Sequence, residues 1–264
     1  MPSPEGEARE SLLRVQPDTL GRANDREKNE ASPGSKAREA KHERDTLTNT
    51  EIQKVMACLK AAVRELPDPS VTLVGKRWKS PYLVLVSCLL SLRTKDETTL
   101  PAAGRLFALA QTPVDMLKLS FRDIERAIYP VGFYRTKARR ILDISRVLIK
   151  EYQGKVPDTM EALLGLKGVG RKTANLVLVE GFGKPGICVD THVHRITNRF
   201  GYVRTRTPEQ TEMALRAKLP PLLWKDINWV LVLWGQNVCR PVSPKCSACP
   251  VSARCGKVGV GTRR

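Results

Sequence analysis

The chain has 264 residues and a formal net charge of +18, with 41% hydrophobic and only 5% aromatic residues. The low aromatic content argues against a β-rich fold, because strands favour aromatic and β-branched side chains. The longest apolar run, residues 82–92, is much shorter than the roughly 20 residues of a membrane span. The sequence therefore excludes a membrane-spanning helix, and we expect no membrane partner.

The excess positive charge lies beyond residue 48. Residues 1–48 hold nine basic and ten acidic side chains, which leaves 36 basic and 17 acidic residues, a net charge of +19, in residues 49–264. A body this basic predicts a polyanionic partner, most commonly nucleic acid; a generic basic enzyme is the alternative. The first 48 residues are polar and aperiodic, so we expect them to be disordered. They resemble neither a secretory signal nor a transit peptide, which indicates an intracellular protein, cytoplasmic and nucleoid-associated if bacterial.

Nearly every later segment has helical periodicity. Ser80 followed by Pro81 is typical of a helix start, and Thr94 with Glu97 forms a capping-box pattern for the next helix. In chain order, helices are predicted over residues 49–65, after 80, after 94, over 113–119, 121–128 and 135–152, from 157 to about 166, and over 171–180, 191–200, 208–218 and 226–238. Residues 187–189 are the one strand-like segment, so the predicted class is all-α.

A glycine turn, Gly168-Val169-Gly170, joins two of the short predicted helices. Glycines let the backbone adopt left-handed conformations and let another chain approach closely. The unpaired amides at the start of the following helix favour a phosphate, which holds a protein on a nucleic-acid backbone without reading sequence. The alternative is an ordinary helical hairpin with a glycine cap.

Four of the seven cysteines fall in the last 26 residues, with the spacing C-x6-C-x2-C-x5-C: Cys239, Cys246, Cys249 and Cys255. Four thiolates in one loop suit a tetrahedral zinc ion or a cubane iron–sulfur cluster, and the spacing alone does not choose between them. The other three lie in apolar segments and are expected to be buried and inert: Cys58, Cys88 and Cys188.

Three segments together resemble the endonuclease III family of the helix-hairpin-helix DNA glycosylase superfamily. They are residues 166–175 (LKGVGRKTAN), residues 189–192 (VDTH) and the four spaced cysteines, and the resemblance covers roughly residues 50–258. It implies a two-domain all-α fold: a six-helix barrel domain with the hairpin (74–184) and an iron–sulfur cluster domain (49–73 and 185–264). It also implies a [4Fe-4S] cluster on the four cysteines.

The resemblance implies a base-excision repair enzyme, a monomer that binds double-stranded DNA containing damaged pyrimidines or abasic sites. Such an enzyme removes oxidised pyrimidines and then cleaves the abasic site on its 3′ side by β-elimination. The matching catalytic positions are Lys172, which would attack C1′ of the sugar and form a Schiff base, and Asp190, which would stabilise positive charge on the sugar. Without the resemblance, the favoured interpretations are that Lys172 only contacts phosphate and that Asp190 is an ordinary helix cap. The attacking amine must be neutral, and we hypothesise that Arg171 and the helix start lower its pKa.

We expect the hairpin, Gly168 to Gly170, to contact DNA. We expect His192 to contact the DNA backbone or to support the catalytic residues rather than to act as a base, and its role is left open. The chain departs from the family at two positions where side chains would fill the gap left by an extruded base. Arg93 stands where glutamine is usual, and Phe133 stands where leucine is usual. The preferred lesion and opposite base are therefore left open, and core packing is the alternative for Phe133.

Three rival functions remain at this stage. An adenine glycosylase of the same superfamily shares the cysteine spacing but generally lacks the lysine. A non-catalytic helix-hairpin-helix DNA-binding module would not need Lys172 paired with Asp190. A zinc-ribbon-like interaction protein would hold zinc on the four cysteines.

Overall fold

The computed structural model describes residues 47–264, and within that range it contains helices and no β-strand. The all-α prediction is confirmed. The expectation of disorder concerned residues 1–48, of which 1–46 lie outside the described residues. Leu47 is buried and Thr48 caps the first helix. No helix of residues 47–264 is long and apolar enough to cross a membrane.

Twelve α-helices follow one another in the described part of the chain: α1 (Asn49–Ala62), α2 (Ser70–Trp78), α3 (Pro81–Ser91), α4 (Asp96–Leu109), α5 (Pro113–Lys118), α6 (Phe121–Ile128), α7 (Tyr134–Tyr152), α8 (Met160–Gly165), α9 (Arg171–Leu176), α10 (Thr191–Arg199), α11 (Pro208–Lys218) and α12 (Asp226–Asn237). A π-helical turn, Val177–Gly181, continues α9, and two 3-10 turns lie at Pro221–Leu223 and Ser252–Arg254.

Local capping explains several helix starts. The Thr48 hydroxyl accepts from the Glu51 amide at 3.3 Å, and the Glu51 carboxylate accepts from the Thr48 amide at 2.8 Å. The Ser80 hydroxyl caps α3, with Pro81 in its first turn. Every α3 residue from Tyr82 to Leu90 is buried, as expected for the central helix of a core.

The structure differs from the sequence prediction at three places. Thr94 does not cap α4, because its hydroxyl accepts instead from the Gly132 amide at 3.2 Å. The short helix expected from residue 157 begins at Met160, with Thr159 as its cap. Helix α2 was not predicted, since its β-branched residues and central glycine give it low helix propensity; it is stabilised by packing its apolar residues into the core.

Two hydrophobic cores lie within the described residues. The first is built around α3, with apolar residues from α2 and from α4 to α9 packed on it. The second is formed by α1, by α10 to α12 and by the C-terminal loop around Val251. The segment 187–189 contributes to both cores, because Cys188 packs in the first and its neighbours Ile187 and Val189 in the second.

A buried carboxylate links α9 to α11. Glu212 accepts from Arg171 at 2.9 and 2.7 Å, from Arg216 at 3.0 Å and from the Asn175 amide at 3.1 Å. Burial raises the pKa of Glu212, but the hydrogen bonds from Arg171, Arg216 and Asn175 outweigh it and hold the pKa below its usual value. The ionised carboxylate thus stabilises the join between the two cores.

We expect Glu212→Ala to lower the free energy of unfolding by about 3 kcal/mol, because it removes the anion that three groups share. Denaturant unfolding measures this. Since the pKa of Glu212 is lowered in the folded state, its stabilisation is present above the unfolded pKa and is lost as the pH falls. The difference from wild type should therefore narrow below about pH 4.

The matched control is Asp143→Ala, which breaks the exposed pair with Arg146 at 2.8 Å on helix α7. Its effect should be about 0.5 kcal/mol or less. Equal losses in the two variants would contradict a special role for Glu212.

Candidate active site

The glycine turn forms a tight hairpin between α8 and α9. Gly168 has a φ of 87°, in the left-handed region, and the Val169 amide donates to the Leu166 carbonyl at 2.9 Å. Gly170 occupies the N-cap of α9 without a side-chain cap. The first amides of a helix have no partner within it, so the hairpin presents donors and the positive end of a short helix together.

Lys172 lies in the first turn of α9, and Asp190 lies at the N-cap of α10. One carboxylate oxygen of Asp190 accepts from the amides of His192 and Val193, both at 2.9 Å. The other oxygen lies 3.8 Å from the Lys172 ammonium. The Asp190 side chain is 9% exposed and that of Lys172 is 45% exposed. The Asp190 carboxylate therefore both caps α10 and pairs with Lys172.

A mainly polar cavity of about 220 Å³ opens beside this pair. Its lining combines α2, the start of α4, the two residues of the pair and α12. Besides Lys172 and Asp190, the polar residues that line it are Thr72, Ser91, Thr94, Asp96, Thr191, His192, Asn228 and Gln236. The arrangement places an amine, a carboxylate and an imidazole around one solvent-accessible space.

The His192 ring is held in one orientation. Its Nδ1 lies 3.0 Å from Nη2 of Arg195, and a guanidinium can only donate, so Nδ1 accepts. Burial is the main reason that the pKa of His192 is lowered. The neutral ring then carries its proton on Nε2. A Cβ on Gly235 would lie 2.4 Å from His192 Nδ1, so only glycine leaves room for the ring. Sequence reasoning missed Gly235, whose only signal is a glycine inside a helix.

Arg171 does not support the hypothesis that its charge acts on Lys172. Its guanidinium makes two hydrogen bonds to Glu212, and these raise the pKa of Arg171. Its charge is thus matched by a carboxylate on α11.

Arg93 and Phe133 lie together on the surface. Both have left-handed backbones, with φ of 52° and 57°, and the Arg93 guanidinium carbon lies 5.8 Å from the centre of the Phe133 ring. Phe133 is 64% exposed, so the alternative of core packing is wrong. The two departures from the family pattern form one exposed cation–π pair.

The four spaced cysteines, Cys239, Cys246, Cys249 and Cys255, line one cavity together with Arg199, Phe200 and Trp234, and all four are free thiols. Within residues 47–264, no group of three or more His, Cys, Asp or Glu side chains is arranged as a binding site for a metal ion. Arg199 donates to the Cys239 sulfur at 3.4 Å. The four thiols that line this cavity fit a cluster of thiolate-bound irons in donor type and number.

The remaining three cysteines do not line this cavity. Cys88 and Cys188 are buried, as predicted, and burial raises the pKa of both thiols. Cys58 is only half-buried and packs against the second core.

The described residues form an all-α fold in which a glycine hairpin joins two short helices, as in helix-hairpin-helix proteins, and a lysine directly after the hairpin approaches a carboxylate on a later helix. Residues 86–221 match the profile of the HhH-GPD superfamily base excision DNA repair proteins. The chain belongs to this superfamily.

Two relatives give the degree of similarity. The chain is 50% identical to endonuclease III of Thermotoga maritima over 175 residues, which are 66% of this chain and 82% of that protein. It is 44% identical to endonuclease III-like protein 1 of Gallus gallus over 171 residues, 64% of this chain but only 61% of the longer relative.

Two solved structures share the fold. A non-covalent endonuclease III–DNA complex is 32% identical, with a TM-score of 0.71. A trapped endonuclease III–DNA covalent intermediate with an estranged adenine is 30% identical, with a TM-score of 0.69. Each comparison covers 80% of this chain and 98% of the other.

We expect Gly235→Ala to displace His192, because the added methyl group would overlap the imidazole. Overpacking of this kind lowers the free energy of unfolding by about 1–3 kcal/mol. Gly104→Ala is the matched control, since a Cβ there meets nothing within 4 Å inside helix α4. It should be neutral or slightly stabilising. Thermal unfolding of both variants checks this, and equal melting temperatures would contradict the packing argument.

Proposed function

We propose that this chain is a base-excision DNA repair enzyme that removes oxidised pyrimidines from duplex DNA and then cleaves the abasic site on its 3′ side. The observation that carries the proposal is the approach of Lys172 to Asp190, 3.8 Å apart, at the edge of a polar cavity that follows the hairpin. The named endonuclease III relatives and the trapped covalent endonuclease III–DNA intermediate support it.

Lys172 is the proposed nucleophile. Its neutral amine attacks C1′ of the damaged nucleotide, and the base leaves with the electrons of the glycosidic bond and takes up a proton. The sugar ring opens to a protonated Schiff base on the lysine. Loss of the C2′ proton then drives β-elimination, which breaks the C3′–O bond and releases the 3′ phosphate. Water hydrolyses the remaining imine and restores the amine. A side chain that is 45% exposed is reachable from the cavity.

Asp190 is the proposed electrostatic partner. Positive charge develops on the sugar as the base leaves, and a fixed carboxylate stabilises it without reorganising. The two amides of α10 that bind one oxygen hold the other toward the Lys172 amine. The same oxygen is placed to take a proton from the lysine as the attack proceeds.

The remaining contacts hold the duplex. The amides of the hairpin, Gly168 to Gly170, bind a phosphate, and the Nε2–H of His192 donates into the cavity. Arg93 and Phe133 fill the space of the extruded base, which moves into the cavity beside Lys172. The arginine in place of the usual glutamine leaves the preferred opposite base open.

The four cysteines are proposed to hold a [4Fe-4S] cluster. A bound cluster would be held by the thiolates of Cys239, which closely follows α12, and of Cys246, Cys249 and Cys255 in the loop beyond it, and it would cross-link that loop; the base chemistry is left to Lys172 and Asp190. We propose that residues 74–184 form the six-helix barrel domain, while 49–73 and 185–264 form the cluster domain. The two hydrophobic cores support this division, although Val71 on α2 packs in the first core. The enzyme would act wherever the cell keeps its DNA.

Trapping with borohydride tests the nucleophile. Wild-type protein mixed with a duplex that contains an abasic site should give a covalent adduct, because borohydride reduces the Schiff base to a stable amine. Lys172→Ala should give none, while Lys150→Ala, an exposed lysine on α7, should behave as wild type. Folded wild-type protein that forms no adduct would leave a non-catalytic DNA-binding module.

The Asp190→Asn variant separates the capping function of Asp190 from the catalytic function of its charge. Asparagine caps a helix about as well as aspartate, so unfolding should change by less than about 1 kcal/mol. Removal of an oxidised pyrimidine should slow by about 100-fold or more, because the charge is lost.

Metal analysis with visible absorption tests the cluster. The purified protein should be brown and contain about four irons per chain. Cys246→Ser should lose both the colour and the iron, whereas Cys58→Ser should keep them. A colourless protein that contains zinc would contradict the proposal.

A further inference from the structure

Lys137 on α7 is buried, with 7% of its surface exposed, and sits next to the surface loop that carries Arg93. Its ammonium donates to the carbonyls of Leu90 and Leu92, at 2.7 and 2.5 Å, and to the Thr94 hydroxyl at 3.1 Å. All three partners are neutral oxygens from the end of α3 and the loop after it. Carbonyls at a helix C-terminus lack partners within the helix and favour a cation.

The Arg93 loop is joined to the Phe133 loop through the same group. The Thr94 hydroxyl accepts a hydrogen bond from the Lys137 ammonium and a second one from the Gly132 amide at 3.2 Å. The two backbones touch here, because a Cβ on Gly132 would lie 2.8 Å from the Arg93 carbonyl oxygen. Phe133 is the N-cap of α7, one helical turn before Lys137. The Lys137 side chain therefore starts one helical turn after Phe133 and ends at oxygen atoms of the loop that carries Arg93.

Both joined loops hold their exposed residue in a strained conformation. Arg93 and Phe133 each have a positive φ, which non-glycine residues adopt only where the surrounding structure enforces it. If the side chain at this position only had to fill space in the core, an apolar residue would be more stable there. Burial penalises the charged form of Lys137 and lowers its pKa to about 8. The retained charge is matched to the carbonyls of one loop, which indicates a function in holding that loop.

We infer that Lys137 is a positioning residue that locks the Arg93 and Phe133 loops into one rigid wedge, so that both side chains enter the duplex together at a damaged base. The inference rests on the proposed function, because a wedge is needed only when a nucleotide is extruded from the duplex. Lys137 touches neither the sugar nor the base, and it acts only through Arg93 and Phe133.

The test uses duplex DNA with a tetrahydrofuran abasic analogue opposite 2-aminopurine, whose fluorescence reports unstacking of the opposite base. Lys137→Met should weaken binding of this duplex at least tenfold relative to wild type and reduce the fluorescence change in proportion. Binding of undamaged duplex should change less than twofold, because the hairpin and the basic surface remain. Lys150→Met, an exposed lysine of the same helix, should match wild type in both.

A double-variant background separates positioning from simple core packing. When Arg93→Ala and Phe133→Ala are present together, adding Lys137→Met should weaken analogue binding less than twofold further. An unchanged tenfold loss in that background, or an equal loss for undamaged DNA, would overturn the inference. If Lys137→Met does not fold, Thr94→Val removes the shared hydroxyl, and the same pattern is expected from it; wild-type behaviour of that variant also overturns the inference.

The borohydride assay distinguishes this result from failure of the proposed function. Wild-type protein that forms no adduct rejects the enzyme. Normal adduct formation together with normal analogue binding by Lys137→Met rejects the positioning residue alone.

Discussion

Asp190 shares its carboxylate between two tasks, and the geometry of the site depends on that division. One oxygen accepts two amides at the start of α10, each at 2.9 Å, and the other lies 3.8 Å from the Lys172 ammonium. A cap fixes the position of its side chain within the first helical turn. The backbone of α10 therefore fixes the position of the Asp190 carboxylate, and α9 fixes the position of the Lys172 amine. Each helix belongs to a different hydrophobic core.

Because the pair bridges two cores, groups that join the cores also control its geometry. Glu212 on α11 binds Arg171, the residue directly before Lys172, and thereby fixes the start of α9. On the other side, Arg195 donates to His192 and to the Cys239 carbonyl at 3.0 Å each. The helix that Asp190 caps is thus tied to the loop of the four cysteines. In this account, the cysteine loop supports the active site mechanically through α10.

The sequence predicts much of this structure where the signal is local. Ser80 with Pro81 starts a helix as predicted, because a cap and its helix are neighbours in the chain. Thr94 carries an equally good capping pattern, yet its hydroxyl accepts from Gly132 on a distant loop and from Lys137 on helix α7. Tertiary contacts of this kind leave no local pattern.

The same limit applies to the site. Lys172 and Asp190 are predicted from the resemblance of two short motifs, and the structure brings their side chains within 3.8 Å of each other. Gly235 and Glu212 are far from those motifs, and their contacts with His192 and Arg171 exist only once α10, α11 and α12 have packed. Arg171 shows how adjacency misleads: it is next to Lys172 in the chain, yet its guanidinium binds a carboxylate on another helix.

Peptide mapping shows directly whether the Lys172 amine forms the covalent bond to DNA. The borohydride-stabilised adduct would be digested with a protease and a nuclease, and the modified residue located by tandem mass spectrometry. We expect a sugar remnant on the side-chain nitrogen of Lys172, in the peptide that follows the hairpin. A remnant on any other lysine, or on the N-terminal amine, would contradict it.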